Sequence, residues 1–194
     1  TDFKAAALAG ADYLRRLQAD VTEDNAGNGA TDLDPDDGGW DWSTTIFEHS
    51  PSVSPGNLYG VTANGILQVY HFNPDPALWT ALVDAADMIV SRGPTEVRSG
   101  TDLIFLLDMA DMPEVADPTI YRNGALAIWD YRMATYLTAT AFGEALRDFR
   151  GNGGWPNGII PWDISSWCDG LMKMDAAFPG MGYDGMAVDM AEVV

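Results

Sequence analysis

Apolar residues recur at intervals of three and four along most of the chain, the period of a helix packed on one side. Near the start, Phe3, Ala7, Leu14 and Leu17, with Gly10 between them, place one stripe on a helix that ends near Gln18. A second helix is predicted from about Asn57 through Val61, Gly65, Val69 and Phe72, where Asn73-Pro74-Asp75-Pro76 breaks it. Asp75 stands where it would cap a return helix, with Pro76 in the first turn, where a missing N–H costs nothing. The predicted buried stripe of this helix is Leu78, Leu82, Ala85 and Ile89, and Ser91-Arg92-Gly93-Pro94 stops it. After a shorter apolar stretch from Leu103 to about Met112, Asp117-Pro118 opens a long helix. Leu126, Trp129, Met133, Tyr136 and Thr140 share one face of it, and it is predicted to end near Gly143. Two more helices, from about Ile164 to Ala177 and from about Gly182 to Val194, flank Phe178-Pro179-Gly180. No stretch alternates with period two long enough to predict a strand.

The predicted class is all-α, with stacked antiparallel helical hairpins forming an α/α toroid or part of one. The 194 residues are read as a single domain over 1–194. Internal similarity supports the repeat: Gly65-Ile66-Leu67 and Ala86-Asp87-Met88-Ile89-Val90 match Gly170-Leu171-Met172 and Ala191-Glu192-Val193-Val194 at an offset of 105 residues. Each hairpin follows a Gly-Gly-Trp, at Gly38-Gly39-Trp40 and Gly153-Gly154-Trp155. On this reading Gly65 and Gly170 occupy matching close helix contacts. The last predicted helix is still running at Val194, so the ring is truncated there or is covered by a partner chain or a second copy.

Ala11-Asp12-Tyr13-Leu14-Arg15-Arg16-Leu17-Gln18 followed by Asp37-Gly38-Gly39-Trp40 resembles the repeat of the squalene cyclase and protein prenyltransferase superfamily, in which a helix ends in Gln and the next loop carries Asp-Gly-x-Trp. The separation here, about eighteen residues, is longer than that repeat uses. Asn152-Gly153-Gly154-Trp155-Pro156, followed by Ile164-Ser165-Ser166-Trp167-Cys168-Asp169-Gly170-Leu171-Met172, resembles a loop and helix start of the family 10 pectate lyases, with one extra residue. Both resemblances imply an α/α toroid. The first implies terpenoid-type chemistry and the second polysaccharide cleavage.

Charge narrows the partners. There are 29 acidic residues, 23 of them Asp, against 8 Arg and 2 Lys, a net charge of -19. Such a surface repels a bare phosphate backbone, so nucleic acid is not the expected partner. Concentrated salt would screen the self-repulsion, which fits a halophilic source as well as it fits an ordinary acidic protein. Cys168 is the only cysteine, so no intramolecular disulfide is expected, and no apolar run is long enough to span a membrane.

Asp34-Pro35-Asp36-Asp37 has the Asp-x-Asp-Asp form of a cyclase general acid, in which crowded carboxylates keep one proton at neutral pH. In a loop this rich in Asp the same string also arises by composition alone. The carboxylates of Asp32, Asp34 and Asp36 are spaced to suit Ca²⁺, the alternative being a solvated acidic loop. No organic cofactor is indicated. Trp42, Trp162 and Trp167, with Asp169, are the candidate sugar or isoprenoid contacts, while Trp40 and Trp155 are read as plugs between hairpins. Arg122 and Arg132 flank Trp129 and Asp130 and are the candidate bases for a β-elimination, although such an arginine more often pairs with a carboxylate. The leading expectation is an extracellular or cell-surface polysaccharide-binding or polysaccharide-cleaving protein, Ca²⁺-dependent if the sugar is acidic. A terpenoid-cyclase-like enzyme and a non-catalytic assembly module are the alternatives.

Overall fold

The computed structural model describes residues 2–18, 38–40, 59–95, 99–149 and 160–193. Helices account for 80% of them and no strand occurs among them, so the all-α class holds. Eight helices lie among these residues: α1 (Asp2–Leu17), α2 (Tyr59–Phe72), α3 (Pro76–Arg92), α4 (Gly100–Ala110), α5 (Thr119–Tyr136), α6 (Ala139–Phe149), α7 (Ile160–Ala177) and α8 (Tyr183–Ala191). The chain forms two compact units, Thr1–Arg92 and Gly93–Val194.

In the first unit α2 and α3 form a hairpin. Asp75 Oδ1 accepts the Ala77 N–H at 2.7 Å, so the predicted cap starts α3 one residue later, at Pro76. Tyr70 and Trp79, with ring centroids 5.4 Å apart, close the turn end. At the other end Arg92 donates to the Tyr59 hydroxyl at 2.6 Å and lies over its ring. The predicted α3 stripe of Leu78, Leu82, Ala85 and Ile89 is buried. Of the predicted α2 stripe only Val69 is buried. Val61, Gly65 and Phe72 are exposed, and Val69 joins Tyr59, Ala63, Ile66, Leu67 and Tyr70 in the core. This helix is apolar on most sides, so periodicity alone did not single out the inward face.

α1 packs on α2 and α3, burying Ala11 and Leu17, whereas Phe3, predicted to share its stripe, is 93% exposed. Two side chains lock its end. The Gln18 Nε2 donates to the carbonyls of Gly38 and of Ala81, each at 2.7 Å. Trp40, 3% exposed, donates its indole N–H to the Leu14 carbonyl at 2.8 Å, which makes it the plug that the sequence suggested. Gly38 adopts φ 82°, and a Cβ there would run into the Asp84 carbonyl, so this position demands glycine twice over.

The second unit is held by α4 against α7 and by α7 against α8, with α5 and α6 packed around them. Ser99 caps α4, and α4 meets α7 at Gly100, whose added Cβ would collide with the Ser166 carbonyl. Gly170 lies beside this crossing, where an added Cβ would come within 3.2 Å of the Gly100 carbonyl oxygen, while Gly65 has open space around it. The match at offset 105 therefore does not carry a shared close contact. The long helix predicted to end near Gly143 is two helices. Leu137 adopts the left-handed conformation at φ 69°, its N–H bonding the Met133 carbonyl, and Thr138 Oγ1 accepts the Ala141 N–H to begin α6.

Candidate functional site: an arginine bedded on aromatic rings

The C-terminal half of α5 carries Trp129, Tyr131, Arg132 and Tyr136. α6 brings Phe142 and α7 brings Trp167 to the same place. Phe142 is the hub: its ring stacks with Tyr136 and meets Trp167 edge-on, each at 5.0 Å between centroids, and lies 6.1 Å from Trp129. Edge-to-face and offset contacts of this kind add to the area they bury. Trp129, Phe142 and Trp167 are buried, forming a floor.

The half-buried Arg132 lies on that floor. Its guanidinium carbon is 5.6 Å from the Trp167 ring centroid, 5.7 Å from that of Phe142 and 5.5 Å from that of Tyr131. The three rings attract the planar cation and hold it beside them. That environment stabilises the charged guanidinium. It does not suit one that gives up its proton to act as a base.

Of the residues nominated by the sequence, Arg132 and Trp167 are thus brought together. Trp167 is 1% exposed, so its part is that of a floor and its faces are closed to a ligand. Arg122 lies ten residues earlier on α5, about 15 Å along the axis at 1.5 Å per residue. It donates to Asp111 at 3.0 Å, the carboxylate pairing that was the simpler expectation. Asp169 is exposed on α7, next to Cys168. Burial, and secondarily the Asp169 charge, push the Cys168 thiol pKa up, and its S–H points to the Ala187 carbonyl at 3.4 Å. On α8, burial and then Asp130 likewise raise the Tyr183 phenol. Trp162 falls in the first turn of α7.

Asp32, Asp34, Asp36, Asp37, Trp42 and Trp155 lie outside the described residues. Among the described residues no three His, Cys, Asp or Glu side chains are grouped to hold a metal ion, and no helix is long and apolar enough to cross a membrane. The sequence reading passed over Phe142, Tyr131 and Tyr136 as ligand-site residues. Phe142 falls in the tail of the single long helix that the periodicity predicts, and the break at Leu137 brings it to Trp129.

No family model, curated protein or solved structure matches this chain.

Proposed function

We propose that this is a polysaccharide-binding protein built from helical hairpins, with Arg132 as the residue that holds the sugar chain. One observation carries the reading: the Arg132 guanidinium is bedded on Trp167, Phe142 and Tyr131. A guanidinium is a donor whose charge and geometry suit a uronate carboxylate or neighbouring hydroxyls. The half-buried Tyr131 offers a ring edge to the sugar beside it. The Gln18 and Trp40 interlock supports the hairpin-repeat resemblance, because the residues that carry that resemblance are the ones that make the contacts.

At a net charge of -19 the protein repels an acidic glycan over long range. A divalent ion would bridge carboxylates on both sides, and the Asp32, Asp34 and Asp36 loop is where the sequence offers such ligands. The test is a thermal-shift screen of neutral and acidic oligosaccharides at about 0.15 M salt, with and without millimolar Ca²⁺. The expected result is a rise in melting temperature with an acidic oligosaccharide, larger with Ca²⁺, that Arg132→Ala abolishes and Arg122→Ala keeps. If no oligosaccharide shifts the transition, or if Arg132→Ala responds like the parent, the reading fails.

A further inference from the structure

We propose that the junction of α5 and α6 is a two-state hinge. In the observed state α6 folds back and completes the aromatic bed of Arg132; in the other, α5 and α6 join as one straight helix and the bed comes apart. The observed bend runs against its own sequence. From Trp129 to Phe142 there is no glycine and no proline, and the predicted helix face of Trp129, Met133, Tyr136 and Thr140 runs straight through the junction. Leucine is among the better helix formers, yet Leu137 adopts φ 69°, in the left-handed region where a residue with a Cβ is disfavoured. Among the described residues no other position except glycine has a positive φ. An apolar residue at this point of a helix end ordinarily packs back on the preceding turn. Leu137 is instead 81% exposed, so burial of its side chain does not offset the strain. Strain of this kind persists only where contacts elsewhere enforce it.

Those contacts come from α6, and they are few. Among its described side chains and glycines only Ala139, Phe142 and Gly143 are buried. Phe142 meets Trp129 and Trp167 in the bed. α8 passes so close to Gly143 that an added Cβ would come within 2.8 Å of the Val193 side chain, and Arg147 donates to the Val193 carbonyl at 3.1 Å. At the junction the Thr138 hydroxyl accepts the Ala141 N–H at 3.1 Å, the capping bond that starts a new helix there. In a continuous helix Trp129 and Phe142, thirteen positions apart, would stand about 20 Å from each other along the axis at 1.5 Å per residue, whereas their ring centroids are 6.1 Å apart. The Arg132 guanidinium would lose Phe142 in the same way. Straightening therefore trades the anchors of α6 for relief at Leu137. A ligand that needs the completed bed binds the bent state and draws the population towards it, and the hinge stands whether or not that ligand is a sugar.

The two states are read by pulsed electron paramagnetic resonance on the full chain, with nitroxides at Ala127→Cys and Glu144→Cys, both exposed positions, and with Cys168→Ser. Seventeen positions of continuous helix set about 26 Å between the two backbone sites, and the bend sets a shorter separation. Leu137→Ala with Thr138→Ala keeps the helix propensity and the left-handed strain but removes the cap, so the long component is expected at least tenfold above the parent. Leu137→Gly with Thr138→Ala lacks the same cap and the same exposed side chain. Glycine, however, relaxes in the left-handed conformation and resists the helix, so here the long component should fall at least tenfold below that of the alanine pair. Absence of the long component from the alanine pair overturns the proposal. So do equal long components in the alanine and glycine pairs, and so does a broad spread of distances, which would mean that α6 frays instead of joining α5.

Discussion

Gln18 and Gly38 stand twenty residues apart and are joined by a 2.7 Å hydrogen bond from the glutamine amide to the glycine carbonyl. The same amide reaches Ala81 of α3, so one side chain fastens the end of α1, the Gly-Gly-Trp segment and the hairpin to each other. Gln18→Met keeps the volume and removes both donors. We expect a loss of about 2 kcal/mol, two neutral hydrogen bonds at about 1 kcal/mol each, read by denaturant unfolding. Trp40→Phe removes one more bond, to Leu14, and should cost about 1 kcal/mol for the bond plus a term for the space left behind. Unchanged stability in both would mean that the interlock does not hold the unit together.

Gly100 and Gly65 should respond oppositely to alanine. At Gly100 the new methyl meets the Ser166 backbone, which cannot swing away, so Gly100→Ala should destabilise by about 3 kcal/mol or more. Gly65 lies within α2 in open space, so Gly65→Ala should be neutral or should stabilise by up to about 1 kcal/mol through helix propensity. Thermal melts of the two variants decide this. Equal losses would restore the matched-contact reading of the repeat that the structure contradicts.

Parts of this architecture could be read from the residues alone, and the reasons differ from place to place. The α3 stripe and the Asp75 cap were legible because one face and one capping oxygen decide them. Gln18 and Trp40 were legible because each stands at a marked position of the sequence, Gln18 at the end of an apolar helical stripe and Trp40 directly after two glycines. The inward face of α2 was not legible, since Val61 and Phe72 compete with Tyr59, Ile66 and Tyr70. The break at Leu137, 81% exposed, carries no glycine or proline to announce a left-handed residue. With that break unseen, the aromatic bed of Arg132 could not be assembled, because Phe142 and Trp167 reach it from separate helices.

Asp117 gives a pH prediction of definite sign. Its carboxylate accepts from the Thr119 hydroxyl and the Thr119 N–H at the start of α5, and these bonds hold its pKa below the ordinary aspartate value. A depressed folded-state pKa contributes stability above the unfolded value and loses it as pH falls through the folded one. The difference in stability between the parent and Asp117→Ala should therefore be constant at neutral pH and shrink to nothing in acid, below the carboxyl pKa read by NMR. A difference that persists when the carboxyl is protonated would assign the effect to something other than the charged cap.

Cys168 is expected to alkylate more slowly than an exposed thiol at pH 8, because burial favours its neutral form. Asp169→Asn removes the second cause of that shift and should quicken the reaction, with the pH midpoint of the rate moving down. An unchanged midpoint would show that the Asp169 charge does not reach the sulfur.

The central claim, that the stacked guanidinium of Arg132 holds a sugar chain, is tested most directly by calorimetric titration of the strongest oligosaccharide from the screen. The parent, Arg132→Lys and Arg132→Ala are compared at fixed salt and Ca²⁺. Lysine keeps the charge but loses the planar fork and its stacking, so both variants should bind at least tenfold more weakly, about 1.4 kcal/mol, while their unfolding stays cooperative. Parent-like affinity in Arg132→Ala would contradict the claim outright, and parent-like affinity in Arg132→Lys would reduce the site to a point charge with no use for its aromatic bed.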